Sequence, residues 1–444
     1  MNDILSALLL LSVPGLPLLL AFPALRSRLS WSCYFALLPA VILLVLPATV
    51  SIDLPWLLFG TTLGLDGTFR WLLEMSVLLW YFAASRLQPL NDPAANNRLI
   101  SFFLLTLAGS LGTILSTGLV DFFVFSTLMG YGFYGLLVSA GGHIARRGGR
   151  GYLVLLILAD LALFEGLLIA ASTTGDLTFD SVQLAMTQSD SPGLFLVMVL
   201  AGFALKAGVW PLHFWLPLVF RSSQPVVALL LPAVPITLAM LGVVRWLPLG
   251  EISSPVLGLI IQAISVAAML YAAIFYVTGT GLKNAQLKTL PVFAIILVTG
   301  LFFTAIGTGL SDPAVWDRYG NWVHYFITSL GIGMAVLITV SGWLQAKQHF
   351  PATPAKQVED SSLWFERWPG IIVAWASKTG FNTLPRWRAW WLAKVDRLWL
   401  LICALKSVLD ASERTLQRWT FAITLFLLLG IAVVFVFLAS QNIL

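Results

Sequence analysis

Apolar residues in this chain gather into long unbroken stretches, and the polar residues collect between them. A transmembrane helix takes about 20 consecutive, mostly apolar residues. Stretches that meet this test fall near 4–22, 31–50, 68–85, 100–117, 119–140, 152–172, 194–212, 225–246, 255–278, 289–309, 322–343 and 420–440. None alternates with the period of two that a β-barrel strand needs, so the pattern predicts an all-α, polytopic transmembrane bundle of about 12 spans. Pro211, Pro217, Pro225, Pro232 and Pro235 interrupt regular helix hydrogen bonding at and after the end of the seventh span, which is therefore expected to be broken. Such breaks are tolerated in a bilayer where the backbone lines a cavity. The first span opens with Asp3 rather than a basic run and is followed by Arg26 and Arg28, so it reads as a retained span and not a cleaved signal.

Composition closes off the soluble alternative. The 444 residues are 59% hydrophobic and 10% charged, with a mean hydropathy of +0.91. Ordinary soluble domains carry about 25% charged residues, and this chain has too few to cover a soluble surface. The net charge of +5 is unevenly placed: residues 343–418 hold 11 Lys and Arg against 6 Asp and Glu, while the rest of the chain holds 14 of each. If alternate loops are assigned to opposite sides with the N-terminus outside, 21 of the 25 cations fall on the inner side. Arg70, Arg245 and Arg318 remain outside, near helix ends, and the loop 173–193 carries three aspartates and no cation. The expected setting is a bacterial-type inner membrane with both termini on the outer face.

The late basic segment divides in two. Residues 344–362 read as an inner linker between a core of about 11 spans in 1–343 and an amphipathic segment, 363–419, which is followed by a last span at 420–440. In the amphipathic segment Trp387, Trp391, Leu398, Ile402, Leu409 and Trp419 recur at helical spacing, with Arg388, Lys394, Arg397 and Lys406 between them. Tryptophan and cations on one such helix point to an element lying in the membrane interface, either as an anchor or as a lateral strut across several helices.

Few residues are left for chemistry. Cys33 and Cys403 are far apart and lack metal-type spacing, and no phosphate-binding loop, HExxH or nucleophile elbow is present. No metal, cofactor, nucleic-acid partner or active site of its own is expected. Charges inside a span are costly and mark ion pathways. Lys206 lies twelve residues into its span, about 18 Å from one membrane edge, and Asp160 lies eight residues into a span of opposite direction, about 12 Å from the other edge. In a core of about 30 Å these depths coincide, so the two are a natural pair. Desolvation disfavours a charged lysine and a nearby carboxylate favours it, so shifting the carboxylate's charge would switch the lysine between proton states. A structural pair that only neutralises itself satisfies the same spacing. Glu165 falls on a different face from Asp160 and nearer the outside, where it either extends a path or meets a headgroup. His213 follows Pro211, Lys288 lies near the inner end of the tenth span, and His324 lies just inside the eleventh. Together, Lys206, Asp160, Glu165, His213, Lys288 and His324 are the candidate proton path. Arg70 and Glu74 read as a structural i,i+4 pair.

The stretch LKAGVWPLHFWLPLVFRSSQP at 205–225, followed by VVALLLPAVPITLAMLGVVRW, resembles the antiporter-like subunits shared by respiratory complex I, Mrp-type cation/proton antiporters and membrane-bound hydrogenases. Supporting features are LFGTTLGLD at 58–66, QLK at 286–288 and His324. The resemblance covers roughly 55–343. It implies a buried lysine on a broken seventh helix, matched by Lys206, that pairs with a glutamate on the fifth helix and hands protons to further basic groups. This chain departs from that pattern. Thr127 stands where the fifth-helix carboxylate is expected, Thr237 replaces a basic group on the eighth span, and Thr328 replaces a lysine after His324. Three further core helices that the family carries after this point do not follow residue 343. The chain therefore reads as a shortened, divergent member, with Asp160 as the substitute partner of Lys206.

The function expected is that of a membrane subunit in a multi-subunit complex, moving protons or exchanging them for Na⁺. The expected partners are other membrane subunits and the bilayer. The alternatives are a non-conducting subunit that clamps its neighbours, a proton-coupled partner of an inorganic-carbon uptake complex, and a membrane arm of an NADH:quinone oxidoreductase-like or hydrogenase-like enzyme.

Overall fold

The computed structural model describes residues 2–29, 33–45, 50–54, 61–65, 67–87, 89–139, 143–189, 192–210, 212–222, 225–278 and 283–316. The expected spans at 322–343 and 420–440, the linker and the amphipathic segment lie outside the described residues.

The described chain is mostly helical. Helix α1 (Asn2–Leu20) and the short α2 (Pro23–Leu29) and α3 (Leu38–Val45) precede a β-hairpin of β1 (Val50–Leu54) and β2 (Thr61–Leu65), which leads into α4 (Gly67–Ser85). The central helices follow: α5 (Pro93–Leu115), α6 (Leu119–Ser139), α7 (His143–Thr173), the short α8 (Phe179–Thr187) and α9 (Gly193–Ala207). Then come α10 (Leu216–Ser222), α11 (Pro225–Leu231), α12 (Thr237–Trp246), α13 (Pro255–Thr278) and α14 (Lys283–Ser311). Among the described residues six helical runs are long and apolar enough to cross a membrane: Pro93–Leu115, Leu119–Ser139, Ala145–Thr173, Val226–Trp246, Pro255–Ala273 and Pro291–Ser311. All six fall on stretches expected from the hydrophobic pattern, and they make the chain a multi-pass membrane protein. Within the apolar stretch 31–50 the described helix is shorter than a full span, a 3-10 turn at Phe35–Leu37 and eight residues of α3.

Local chemistry sets several helix ends. Asp92 caps α5, its carboxylate accepting from the Ala94 and Ala95 amides at 3.0 and 3.3 Å, with Pro93 in the first-turn position where its missing N–H costs nothing. Asp121 secures the start of α6, accepting from Thr117 and Gly118 N–H at 3.0 and 3.3 Å. The span Val226–Trp246 is not uniform: Pro232 and Pro235 lack amide donors, and the backbone between α11 and α12 widens into a π-helical turn, Pro232–Ile236.

The β-hairpin departs from the all-α expectation. Its strands pair antiparallel from Val50↔Leu65 to Leu54↔Thr61. It is tied to the α5–α6 turn by the bridge Leu63↔Ser116 and by Thr117 N–H donating to the Thr62 carbonyl at 3.1 Å, while Gly118 pairs with Thr178 just before α8. The hairpin, the α5–α6 turn and the segment before α8 thus meet at one end of the bundle, called the hairpin end below, and these bonds satisfy backbone groups there.

Helices α5 and α6 form the centre. Their membrane windows are 89% and 83% buried, and the run Val226–Trp246 beside them 94%, against 22% for α13 at the periphery. Small residues let the two approach closely: a Cβ on Gly132 would stand 2.8 Å from the Thr106 amide nitrogen, a backbone atom that cannot swing aside. Gly132→Ala is expected to force α5 and α6 apart, with an overpacking cost of roughly 1–3 kcal/mol. The thermal aggregation midpoint of the detergent-solubilised protein should fall. Gly193→Ala, where nothing stands within 4 Å, should leave it unchanged. Equal midpoints for the two variants would contradict this account of the centre.

Candidate functional site

Helices α7 and α9 pack side by side and bring Asp160 and Lys206 together. The Lys206 Nζ lies 2.8 Å from the Asp160 Oδ1, with the two side chains 8% exposed or less. The ammonium also donates to the Ser126 Oγ at 3.0 Å, and the Thr127 hydroxyl donates to the same Asp160 oxygen at 3.4 Å. The Tyr131 phenol faces the carboxylate from one turn further along α6. One buried cation, one buried carboxylate and three hydroxyls therefore share a site formed by α6, α7 and α9.

Backbone geometry explains where the lysine sits. Helix α9 stops at Ala207 because Gly208 takes the left-handed conformation, φ 62°, with its amide turned back to the Ala204 and Leu205 carbonyls. Lys206 is thus in the last turn of α9, where the unpaired carbonyl end of the helix favours a cation. The chain then makes a 3-10 turn at Leu212–Trp215 before α10. Helix direction and the Asp160 carboxylate act on the ammonium in the same sense.

The position where the family resemblance places a carboxylate holds Thr127, and the Thr127 hydroxyl donates to the Asp160 carboxylate. The carboxylate comes from α7 instead of α6, yet it reaches the same neighbourhood.

The other sequence candidates stand apart from this pair. Glu165 is five residues beyond Asp160 and therefore roughly 140° around α7; it is exposed and makes no hydrogen bond or ion pair with any described residue. His213 is buried in the turn after α9, its ring 5.3 Å from that of Tyr271 on α13. Lys288 lies on α14 with its side chain outside the described residues, and His324 lies outside them altogether. Thr237 donates to the Pro232 carbonyl at 3.0 Å, closing on its own π-turn. Arg70 and Glu74 are 3.9 Å apart near the surface.

Toward the hairpin end the pair is covered by aromatic rings. Phe122, Phe203 and Trp246 meet edge to face with centroids 5.6 to 6.2 Å apart, and Phe179 packs on Phe122. Toward the opposite end lie Tyr152, Trp215 and His213, all buried, with the Tyr152 and Trp215 rings 4.9 Å apart. The hairpin-end side of Lys206 is packed with aromatic rings, and the side facing the break after Gly208 holds Tyr152, Trp215 and His213.

Sequence reasoning missed Arg245. Its place next to a helix end reads as a topology charge, but the side chain is buried at 7% exposure. Its guanidinium donates to the Thr113, Ile114 and Ser116 carbonyls at 3.3, 3.0 and 2.6 Å and stacks 3.8 Å from the Phe69 ring centroid. A cavity of about 470 Å³ opens beside it, lined in part by Gln183, Thr117 and Trp316. The signal available was the Gly-x-x-Arg ending of the span, Gly242 to Arg245, which nothing in spacing alone distinguishes from a surface cation. Among the described residues no three His, Cys, Asp or Glu side chains are grouped to hold a metal ion.

Comparison with known proteins places this geometry. Residues 116–311, which hold Asp160, Lys206 and His213, match the family described as NADH:quinone oxidoreductase/Mrp antiporter, TM. NADH-quinone oxidoreductase subunit N of Pelobacter propionicus is 28% identical over 181 residues, covering 40% of this chain and 39% of that protein. A Na(+)/H(+) antiporter subunit of Alkalihalophilus pseudofirmus is 30% identical over 132 residues, covering 29% of this chain and 27% of that one. Each alignment thus spans well under half the length of the curated relative. A chain in the structure of the membrane-bound sulfane sulfur reductase, an archaeal respiratory membrane complex, shares the fold with a TM-score of 0.58 at 20% identity, covering 75% of this chain and 55% of that one. The chain is similar to membrane subunits of complex I and of Mrp antiporters, as its sequence motifs imply.

Proposed function

We propose that this chain is a membrane subunit of a multi-subunit, ion-translocating complex of the Mrp antiporter or complex I type, and that protons cross it by way of Lys206 and Asp160. The buried ion pair carries this reading. A lysine and a carboxylate held in a membrane interior are expensive to retain, and intramembrane ionisable groups concentrate on ion pathways. Protonation of Asp160 removes the charge that holds the ammonium, so Lys206 releases its proton; loss of that proton from Asp160 allows Lys206 to be recharged. Ser126, Thr127 and Tyr131 supply hydroxyls that donate or accept as the charges move. The break after Gly208, near His213, is the access side, and the aromatic cluster seals the hairpin end. Following the cation distribution, the hairpin end faces outward. Lys288 and His324 are carried as later members of the path, Glu165 is not part of it, and exchange against Na⁺ is the coupling that the sequence suggests. The wider architecture in this reading keeps about 12 spans and a broken seventh helix, α9 to α10.

One observation favours a second reading, a non-conducting subunit that clamps its neighbours: Thr237, where a second basic group would continue the path, bonds its own helix. Proton flux in vesicles containing the whole complex separates the two. Asp160→Ala at equal assembly is expected to reduce flux by roughly 10²-fold, the weight of a positioned proton-transfer group. The swap Thr127→Glu with Asp160→Ala returns a carboxylate to the same neighbourhood from α6 and should restore a clear part of it. Flux unchanged by Asp160→Ala would leave only the clamp.

A further inference from the structure

Glu165 has no role in the pair and no partner among the described residues, yet it lies on a helical run long and apolar enough to cross a membrane, Ala145–Thr173. It is eight residues, about 12 Å, inside the hairpin-end terminus of α7. Its neighbours on that face of α7 are apolar and bare: Ile157 and Leu161 precede it at i−8 and i−4, 43% and 57% exposed. A stripe of leucine and isoleucine alone would suit lipid. A carboxylate in its midst does not, because ionisable side chains in membrane helices turn to protein or to a water-filled cavity. Escape to the headgroups by snorkelling belongs to the long Lys and Arg side chains, and glutamate is too short for it at this depth.

We propose that this face of α7 docks against a neighbouring membrane-embedded subunit that presents a cationic side chain at the depth of Glu165. Charge complementarity selects the occupant: the apolar stripe supplies packing area, and the carboxylate fixes which helix of the neighbour fits and at what register. The proposal rests on the subunit reading above but not on proton conduction.

The test uses the intact complex, solubilised in mild detergent. A photo-crosslinking residue at Leu161 is expected to form an adduct with another subunit, whereas one at Leu259 on the exposed face of α13 serves as the contrast. Glu165→Leu is expected to lower co-purification of the cross-linked subunit by roughly tenfold, with Glu165→Gln intermediate, as truncation of one member of a buried interfacial charge pair should. Folding is not at risk, since leucine at an exposed position suits lipid, and membrane yield and protease resistance check it. Glu165→Lys combined with an acidic residue in place of the neighbour's cation is expected to restore co-purification. Adducts at Leu161 to lipid alone, or unchanged co-purification in Glu165→Leu, would overturn the interface while leaving the subunit reading intact. Recovery of the wild-type chain with no other subunit would overturn both.

Discussion

Lys206→Met should nearly abolish proton flux through the assembled complex and should also destabilise the chain, and the double variant Lys206→Met/Asp160→Leu should recover the stability without the flux. The single change leaves the Asp160 carboxylate buried at 8% exposure with only hydroxyls for company. Removing one partner of a buried ion pair costs roughly 3–5 kcal/mol, because the remaining charge is uncompensated. Replacing both partners by apolar side chains of similar volume is often neutral or stabilising, since the desolvation of two charges is then avoided. Stability and function therefore move apart in the double variant, which is what separates conduction from mere neutralisation. Thermal midpoints in detergent and proton flux in vesicles, measured at matched subunit content, read the two quantities. Wild-type flux in the double variant would show that the pair is a packing device and that protons cross elsewhere.

The pairing itself is legible in the sequence. Helical rise is fixed, so counting residues from the ends of two antiparallel spans gives depth, and Asp160 and Lys206 come out level. What counting cannot supply is rotation about the helix axis; that Thr127 and Ser126 line the same site depends on how α6 turns against α7 and α9. The six long spans were legible for the same reason that the pair was, since bilayer thickness sets the length of an apolar run. The hairpin was not, because five-residue strands such as Val50–Leu54 leave too short a pattern to stand out beside neighbouring apolar runs. In the stretch 31–50 the hydropathy suits a full span, yet Pro39 and Pro47 lie in it and the described α-helix there runs only from Leu38 to Val45. Proline at 232 and 235 correctly announced irregular backbone, but only the structure shows that the chain answers with a π-turn.

From the sequence Arg245 is a cation near a helix end, and its burial makes it the residue outside the ion pair whose loss should cost most. Arg245→Ala would strip the Thr113, Ile114 and Ser116 carbonyls of a shared donor at the C-terminus of α5, where the helix leaves carbonyls without amide partners. Hydrogen bonds from a charged donor contribute about 1.5–3 kcal/mol each and are not additive, so a loss of roughly 3–5 kcal/mol is expected. Arg245→Lys tests whether charge or shape matters. A lysine restores the cation beside the negative end of α5, but it has one nitrogen instead of a planar fork and cannot stack flat on Phe69. It should recover less than half of the lost stability. The damage should be local, because Gln183 on α8 donates to the Arg245 carbonyl and Asp121, within electrostatic range of the guanidinium, holds the start of α6 beside the hairpin. Limited proteolysis should therefore cut both variants faster in the loop between α7 and α8 than elsewhere in the chain. A lysine variant matching wild type in thermal midpoint and cleavage rate would mean that charge alone holds the hairpin end together, and the fork geometry would then be incidental.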